Sequence, residues 1–439
     1  MNKKFCPAPF IHTYVNANNS GFKLCCMSHI IERWDTTKDL RPQFDEFWKG
    51  DTMQDIRLQF LAGKMPDACE WWCGRWEKEG LEERSDRLHF VKKAERMGQL
   101  TYDVEYGTEE FKAPVDIDLR PSRKCNIKCR SCNSTWSDTI AKEVQENPEI
   151  QGWGHWDTKI YEQNFVLDLP MDNLQKLSMS GGESLVDEGV LKILKDLCDS
   201  GKAKDVHLHL ITNCTVLPQK TIDLLTQFNK LTFSLSVDGV GKTDEFLRHG
   251  TKWDKKVQNI DTIFNLPNLW YAYFMHVFQP VSAFQFEENL KFFLHYSRKY
   301  GDKVTNITYN PIVDPWYLSV SILDDDHKEQ IRNTIDDCVN KYNLTDKEKV
   351  WLKQAYSELD ITHPEERKRT WQNDFVRAEM ALNKIRGTDT LSVEPQLKRY
   401  FDNYDPTNLT PDKGTGANPG VFFAGLPKPA AKSSHRNKL

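Results

Sequence analysis

The chain has 439 residues, of which 39% are hydrophobic and 28% charged, and its 59 basic and 64 acidic residues give a formal net charge of −5. This composition excludes a wholly disordered chain, and it lacks the basic surplus that is typical of proteins binding duplex nucleic acid. No stretch approaches the ~18 apolar residues of a membrane span, and the first residues contain no signal-peptide core, so we expect a cytoplasmic protein without a membrane partner.

Four regions follow one another along the chain. Residues 1–110 contain clustered Cys, Trp and Pro without a regular alternation of strands and helices. Residues 111–315 alternate strand patterns with helix patterns, and residues 316–402 are mainly helical and charged. Residues 403–439 are rich in Pro, Gly, Asn and Lys, and we expect a mostly disordered tail there.

Six β/α units in the second region predict a parallel sheet with right-handed crossovers, of the α/β class. Four of the strands alternate polar and apolar residues instead of being apolar throughout, so one face of the sheet should line a wet, ligand-sized cavity. An open or partial barrel satisfies this pattern, whereas an antiparallel sheet with a solvated face is the alternative. The predicted strands are residues 115–119, 174–180, 206–212, 231–237, 270–278 and 304–310.

Eleven cysteines are present, and the odd number argues against complete disulfide pairing. Cys125, Cys129 and Cys132 lie directly after the first predicted strand, at the end where parallel α/β folds build their active sites. Thiolates select zinc, copper(I) or iron–sulfur clusters. Three thiolates on a four-iron cluster would leave one iron free to bind a ligand.

The spacing of these three cysteines, CxxxCxxC, resembles the signature of the radical S-adenosylmethionine (SAM) superfamily. Gly181, Gly182 and Glu183 follow the second predicted strand and match the GGE motif of that family. The resemblance also implies that polar residues after later strands contact SAM. These candidate residues are Asn213, Ser236, Asp238 and Arg248. Cys214, directly after Asn213, stands where the family usually has a glycine.

The resemblance implies a partial (β/α)6 TIM-like barrel and a cofactor set of one [4Fe–4S] cluster, held by Cys125, Cys129 and Cys132, together with SAM. One-electron cleavage of SAM would yield methionine and a 5′-deoxyadenosyl radical, which removes hydrogen from a substrate. Relatives often modify peptides, so a peptide or protein is the expected substrate. An electron donor such as flavodoxin or ferredoxin is the expected partner, and the reaction is of the oxidoreductase or transferase type.

A second cysteine cluster lies in residues 1–110 and resembles the twitch domain, the short form of the SPASM auxiliary-cluster module, here placed before the barrel. The resemblance implies a second [4Fe–4S] cluster, with Cys25 as a near-equivalent rival for one of its ligands. The implied ligands are Cys6, Cys26, Cys69 and Cys73.

Alternatives stay open at this point. Structural zinc could occupy the N-terminal cysteines, since thiolates bind both zinc and iron–sulfur clusters. The enzyme could act on RNA or on a small metabolite, or the chain could be a non-enzymatic metal–thiolate scaffold or electron carrier. His207 and His209 could imitate metal ligands, although we expect them to line the cavity or to bond to neighbours.

Overall fold

The structure is a computed structural model. It describes residues 5–17, 20–80, 82, 85–96, 113–150, 168–310, 312 and 315–410. The predicted disordered tail lies outside the described residues from residue 411 onward. Among the described residues, no helix combines the length and the apolar character that a membrane crossing requires.

Eleven strands lie in the described part of the chain. They are β1 (His12–Asn16), β2 (Gly21–Lys23), β3 (Ile30–Arg33), β4 (Asp116–Arg120), β5 (Lys128–Cys129), β6 (Lys176–Met179), β7 (His207–Thr212), β8 (Lys230–Ser236), β9 (Arg248–His249), β10 (Leu269–Val277) and β11 (Val304–Asn310).

The α-helices of the described residues run from the N-terminal segment to residue 402. They are α1 (Ala8–Ile11), α2 (Leu40–Lys49), α3 (Asp51–Leu61), α4 (Asp67–Cys69), α5 (Arg75–Lys78), α6 (Asp86–Arg96), α7 (Asp138–Glu146), α8 (Glu188–Asp199), α9 (Gln219–Leu225), α10 (Lys242–Leu247), α11 (Trp253–Phe264), α12 (Pro280–Ala283), α13 (Phe286–Tyr300), α14 (Asp325–Lys341), α15 (Asp346–Leu359), α16 (Glu365–Arg386), α17 (Thr390–Val393) and α18 (Lys398–Asp402). A π-helical turn, Glu70–Gly74, joins α4 to α5.

The chain divides into two compact units. Unit 1 comprises residues 1–123, 161–210 and 220–231, and unit 2 comprises residues 124–160, 211–219 and 232–439. The boundaries fall inside β7 and just inside the start of β8.

Unit 1 is built on a sheet in the order β3-β2-β1-β4-β6-β7. The pairings of β1 with β4, of β4 with β6 and of β6 with β7 are parallel, and their register aligns side chains in rows across the sheet. Two of these rows are mainly polar. One contains His12, Asp116, Lys176 and His207, and the next contains Tyr14, Asp118, Ser178 and His209. Both lie on the face of the sheet that the alternating sequence pattern predicts to line a cavity.

Burial on β7 follows the predicted alternation. On β7, Leu208 and Leu210 are fully buried, whereas His207 and His209 keep part of their surface exposed. Asp187 caps the N-terminus of α8, the helix that follows β6. Its carboxylate accepts hydrogen bonds from amides in the first turn of this helix.

In unit 2, β8 lies beside β10, and β10 pairs in parallel with β11. The short strands β5 and β9 pair antiparallel. The C-terminal helices α14 to α18 also belong to this unit. A capping box starts α15, where the Thr345 and Glu348 side chains each accept a backbone hydrogen bond from the other residue.

All six predicted strands are present, with boundaries that differ by no more than one residue except at the start of β6, where the difference is two. The protein is of the α/β class with parallel strands. β1, which lies within residues 1–110, pairs in parallel with β4, the first strand predicted for the barrel.

Candidate functional site

The cysteine loop of unit 2 holds the three CxxxCxxC thiols. Cys129 is buried in β5 and lies opposite Arg248 of β9, while Cys125 and Cys132 are partly exposed. Burial and then the neighbouring Cys129 and Cys125 thiols raise the pKa of Cys132 to about 12. Three mutually repelling thiolates are therefore unfavourable here without a bound cation, and a thiolate-binding metal centre would supply that positive charge.

The loop is fixed by hydrogen bonds to its backbone. The Cys125 amide donates to Asp138 Oδ1 at 2.9 Å, at the start of α7. The Cys132 amide donates to the Cys129 carbonyl at 3.2 Å. Asp138 was not identified from the sequence, although its place as an acidic residue in the first turn of a helix is an ordinary signal for binding free amides.

Asn213 contacts the cysteine loop through the residue after Cys125. Its Nδ2 donates to Asn126 Oδ1 at 3.0 Å, and its own Oδ1 accepts hydrogen bonds from the amide and the hydroxyl of Thr215. The next residue, Cys214, has a positive φ of 62°, the conformation for which the family's usual glycine is suited. Asn213 therefore joins the end of β7 to the loop.

Asp238 and Arg248, two predicted SAM contacts, bind each other. Arg248 Nη1 donates to Asp238 Oδ2 at 2.7 Å, and the Val277 amide donates to the other carboxylate oxygen at 3.0 Å. Burial alone would raise the pKa of Asp238, but the charge of Arg248 brings it below its usual value. Asp238 thus orients Arg248 rather than presenting a free carboxylate.

Arg248 is well placed to bind an acceptor. It is 8% exposed, and its Nε is buried without a hydrogen-bond partner among the described residues. Cys129 and Asp238 keep the pKa of this guanidinium well above its usual value although burial opposes this, so Arg248 stays charged. Ser236, the fourth predicted contact, ends β8 and is partly exposed.

The predicted GGE segment belongs to unit 1 and follows β6. Gly181 has a positive φ of 150°, and an added Cβ would lie 2.6 Å from the Ser122 carbonyl oxygen. That oxygen accepts a hydrogen bond from the Gly182 amide at 3.2 Å. Glu183 is 2% exposed and accepts from the Leu185 amide at 3.1 Å. Gly181 therefore allows two backbone segments to approach closely.

The N-terminal cysteines of unit 1 form a second group. The pKa of Cys6 is raised well above its usual value by burial and also by Cys69 and Cys73. Burial raises the pKa of Cys69 above its usual range, and Cys25 adds to this effect. Cys25 is 7% exposed, whereas Cys26 is exposed at the surface. Cys25 is thus buried like Cys6, Cys69 and Cys73, whereas the predicted ligand Cys26 is not.

Local structure explains this choice of cysteine. After β2, a turn is fixed by Ser28, whose Oγ accepts a hydrogen bond from the Leu24 amide and whose amide donates to the Cys25 carbonyl. That turn buries Cys25 and leaves Cys26 outside. Cys73 lies in the π-helical turn. Because a π-helix is wider than an α-helix, the direction of the Cys73 side chain differs from the direction it would have in an α-helix.

No three Cys, His, Asp or Glu side chains of the described residues are arranged so that they could hold a single metal ion.

Known proteins offer few similarities to this chain. No protein-family model matches the sequence, and no curated protein matches it. Among solved structures, Streptococcus suis SuiB bound to precursor peptide SuiA is 13% identical, with 59% of this chain and 60% of that chain covered and a TM-score of 0.33. This chain therefore spans about 60% of the length of SuiB.

Two further solved structures are similar at the same low level. The protein anSMEcpe with bound AdoMet and Cp18Cys peptide is 18% identical, with 52% of this chain and 62% of that chain covered and a TM-score of 0.33. TYW1 with a lysine-pyruvate adduct bound is 11% identical, with 56% of this chain and 81% of that chain covered and a TM-score of 0.26. Because all three TM-scores lie below 0.5, we base the function proposed below on the residues of this chain alone.

Proposed function

We propose that this protein is a radical SAM enzyme that generates a 5′-deoxyadenosyl radical and abstracts hydrogen from a peptide or protein substrate. The observation that carries the proposal is the grouping of Cys125, Cys129 and Cys132 in one loop, with the charged Arg248 opposite Cys129. The donor set fits the cofactor, because a [4Fe–4S] cluster takes thiolate ligands and three of them leave one iron open.

Cys125, Cys129 and Cys132 would hold a [4Fe–4S] cluster, which would supply the one-electron chemistry for cleaving the sulfonium of SAM. The chain's own residues then have separate tasks. The three thiolates hold the cluster, and the two amide hydrogen bonds of the loop hold the thiolates in position. Asp238 orients Arg248, whose free Nε can donate to an anionic acceptor such as the SAM carboxylate.

The remaining assignments rest on the sequence resemblance. Gly181, Gly182 and Glu183 are assigned to SAM, as is Ser236, and Asn213 is assigned to the loop and to SAM. A reducing partner such as flavodoxin or ferredoxin would deliver the electron.

SAM cleavage tests the proposal directly. The reconstituted protein, incubated anaerobically with SAM and dithionite, should form 5′-deoxyadenosine, because the loop then carries a cluster with an open iron. A triple Ala variant at Cys125, Cys129 and Cys132 is the control. Chromatography of the products measures the nucleoside, and equal amounts from the two proteins would contradict the proposed activity.

We also propose that Cys6, Cys25, Cys69 and Cys73 hold an auxiliary iron–sulfur cluster. Their mutual effects on pKa and their burial support this assignment. With all four thiolates occupied, the cluster would carry electrons and would not bind substrate. Structural zinc is the competing occupant, and the metal content of anaerobically purified protein distinguishes the two.

The choice between the paired cysteines can be tested by substitution. Cys25→Ser should lower the iron and sulfide content of the reconstituted protein by the share of one cluster, because a buried ligand is lost. Cys26→Ser should leave both contents unchanged, because that thiol lies at the surface. The opposite result in the two variants would show that Cys26 is the ligand.

A further inference from the structure

The residues on both sides of Cys129 are held by one face of helix α16. Three of its side chains, Glu379, Asn383 and Arg386, are spaced by four and then three residues, so they lie on the same face of the helix. We call these three residues the α16 anchor. The anchor belongs to the C-terminal helical region, to which the proposed function gives no task.

Arg130, the residue after Cys129, makes the first set of contacts. Its Nη1 donates to Glu379 Oε2 at 2.9 Å, and its Nη2 donates to Asn383 Oδ1 at 2.9 Å and to Thr388 Oγ1 at 2.7 Å. The Arg130 and Glu379 side chains are 1% and 2% exposed. These partners compensate a buried guanidinium that would be costly to leave unpaired. Its Nε is buried without a hydrogen-bond partner among the described residues.

The other side of the guanidinium packs on an aromatic ring. The Arg130 Cζ lies 3.8 Å from the centre of the Phe246 ring, and the Arg130 amide donates to the Leu247 carbonyl at 2.8 Å. Both the side chain and the backbone at this position of the loop are therefore fixed.

Arg386 makes the second set of contacts, on the residue before Cys129. Its Nη1 donates to the Lys128 carbonyl at 3.0 Å, and its Nε and Nη2 form a two-pronged ion pair with Glu143 of α7 at 3.2 and 2.6 Å. Lys128 Nζ also pairs with Glu143 at 3.1 Å. Cys129 thus lies between two residues that the same helix binds.

The end of α16 completes the arrangement. Gly387 follows the helix in the left-handed conformation, with φ 62° and ψ 38°, and turns the chain back. This turn places Thr388 against Arg130 and Thr390 against Glu379, where the Thr390 hydroxyl donates to Oε2 at 2.5 Å. The Glu379 carboxylate therefore has partners from both Arg130 and Thr390.

We propose that the α16 anchor positions the cysteine loop, so that the C-terminal region sets how firmly this loop holds its cluster. This inference rests on the proposed function. Glu379, Asn383 and Arg386 are positioning residues, because they act on Cys129 through Lys128 and Arg130. Substitution of residues that orient metal ligands typically lowers metal affinity by roughly 10–100-fold.

Iron retention by the full chain tests the proposal. After anaerobic reconstitution, the release of iron to an added chelator is followed for wild type, for Glu379→Ala and for Met380→Ala. Met380 is the matched control, because it is the next residue of the helix and is 50% exposed. Glu379→Ala should release the iron of the loop about tenfold faster than the control. Equal rates in the two variants would overturn the proposal.

Two further variants keep the test decisive. Glu379→Gln covers the case in which Glu379→Ala does not fold, since Gln keeps the volume and one acceptor oxygen while removing the charge. Iron release from this variant at the wild-type rate would also overturn the proposal. In the Arg130→Gln and Glu379→Gln double variant, the two effects should combine to less than their sum, whereas full additivity would show that the residues act independently.

The proposed function has its own control in the same experiment. The triple Ala variant at Cys125, Cys129 and Cys132 defines the share of iron that the loop holds. If that variant binds as much iron as wild type, the proposed function is wrong, whatever Glu379 does. If it loses a cluster while Glu379→Ala keeps one as firmly as wild type, only the role of α16 is wrong.

Discussion

Gly181→Ala is expected to lower the free energy of unfolding by about 3 kcal/mol, from backbone strain and overpacking together. Its φ of 150° is rarely adopted by residues with a Cβ, and the new methyl group would lie 2.6 Å from the Ser122 carbonyl oxygen. That carbonyl cannot move aside cheaply, because it accepts the Gly182 amide and because the Ser122 hydroxyl is bound to Asp187. Urea denaturation of the two proteins measures the difference.

A second glycine of unit 1 separates the two causes. Gly201 also has a positive φ, of 70°, but nothing lies within 4 Å of the position that its Cβ would take. Gly201→Ala should therefore cost only the conformational strain, about 1 kcal/mol. If both substitutions cost the same, close approach of the Ser122 carbonyl does not explain the glycine at 181. Retention of SAM cleavage by a folded Gly181→Ala protein would count against its assignment to SAM.

The sequence predicted those elements that have a polar and apolar pattern, or a motif, spanning only a few residues. The alternation in His207–Thr212 identified β7, and burial follows it residue by residue. The short spacing from Cys125 to Cys132 places all three thiols in a single loop. These features depend on neighbours within a few positions, so one sequence contains them in full.

Partners that are distant in the sequence could not be predicted. Arg130 and Glu379 are separated by 249 positions, and neither the CxxxCxxC motif nor the charged pattern of α16 indicates the other. The two carboxylate oxygens of Asp238 accept from Arg248 and from the Val277 amide, and the sequence indicated neither contact. A motif identifies which residue type is needed, whereas the tertiary fold decides what that residue contacts.

Strand β1 was not predicted, because the composition of the surrounding residues outweighed its short strand pattern. Residues 12–16 are fully buried in β1, but the surrounding Cys, Trp and Pro suggested a separate domain. A strand of five residues carries little periodic information, and its pairing with β4 depends on a residue about a hundred positions later. That pairing is a property of the assembled sheet, and it brings His12 against Asp116.

Asp116→Asn is expected to lower the free energy of unfolding at pH 7 by about 3 kcal/mol, because it removes the carboxylate that pairs with the largely buried Lys93 ammonium and that binds the His12 ring. The Asp116 side chain is fully buried, binds His12 Nδ1 at 2.8 Å and pairs with the ammonium of Lys93. Burial alone would raise the pKa of Asp116, but His12 and Lys93 outweigh it and hold the pKa well below its usual value. Denaturation at several pH values measures the effect.

The sign of the pH dependence follows from that lowered pKa. A carboxylate with a depressed folded pKa stabilises the protein above its unfolded pKa of about 4, and the contribution is lost as the pH falls through the folded value. The difference between wild type and Asp116→Asn should therefore be largest near neutral pH and shrink below about pH 4.

Asp118, two residues along the same face of β4, is the matched control. Burial raises the pKa of Asp118, so its ionised form opposes folding at pH 7. Asp118→Asn should leave the free energy of unfolding at pH 7 unchanged or raise it, because the substitution removes a charge that folding desolvates. If Asp118→Asn destabilises the protein as much as Asp116→Asn does, then burial of a carboxylate on this face, and not its pairing with His12 and Lys93, decides the outcome.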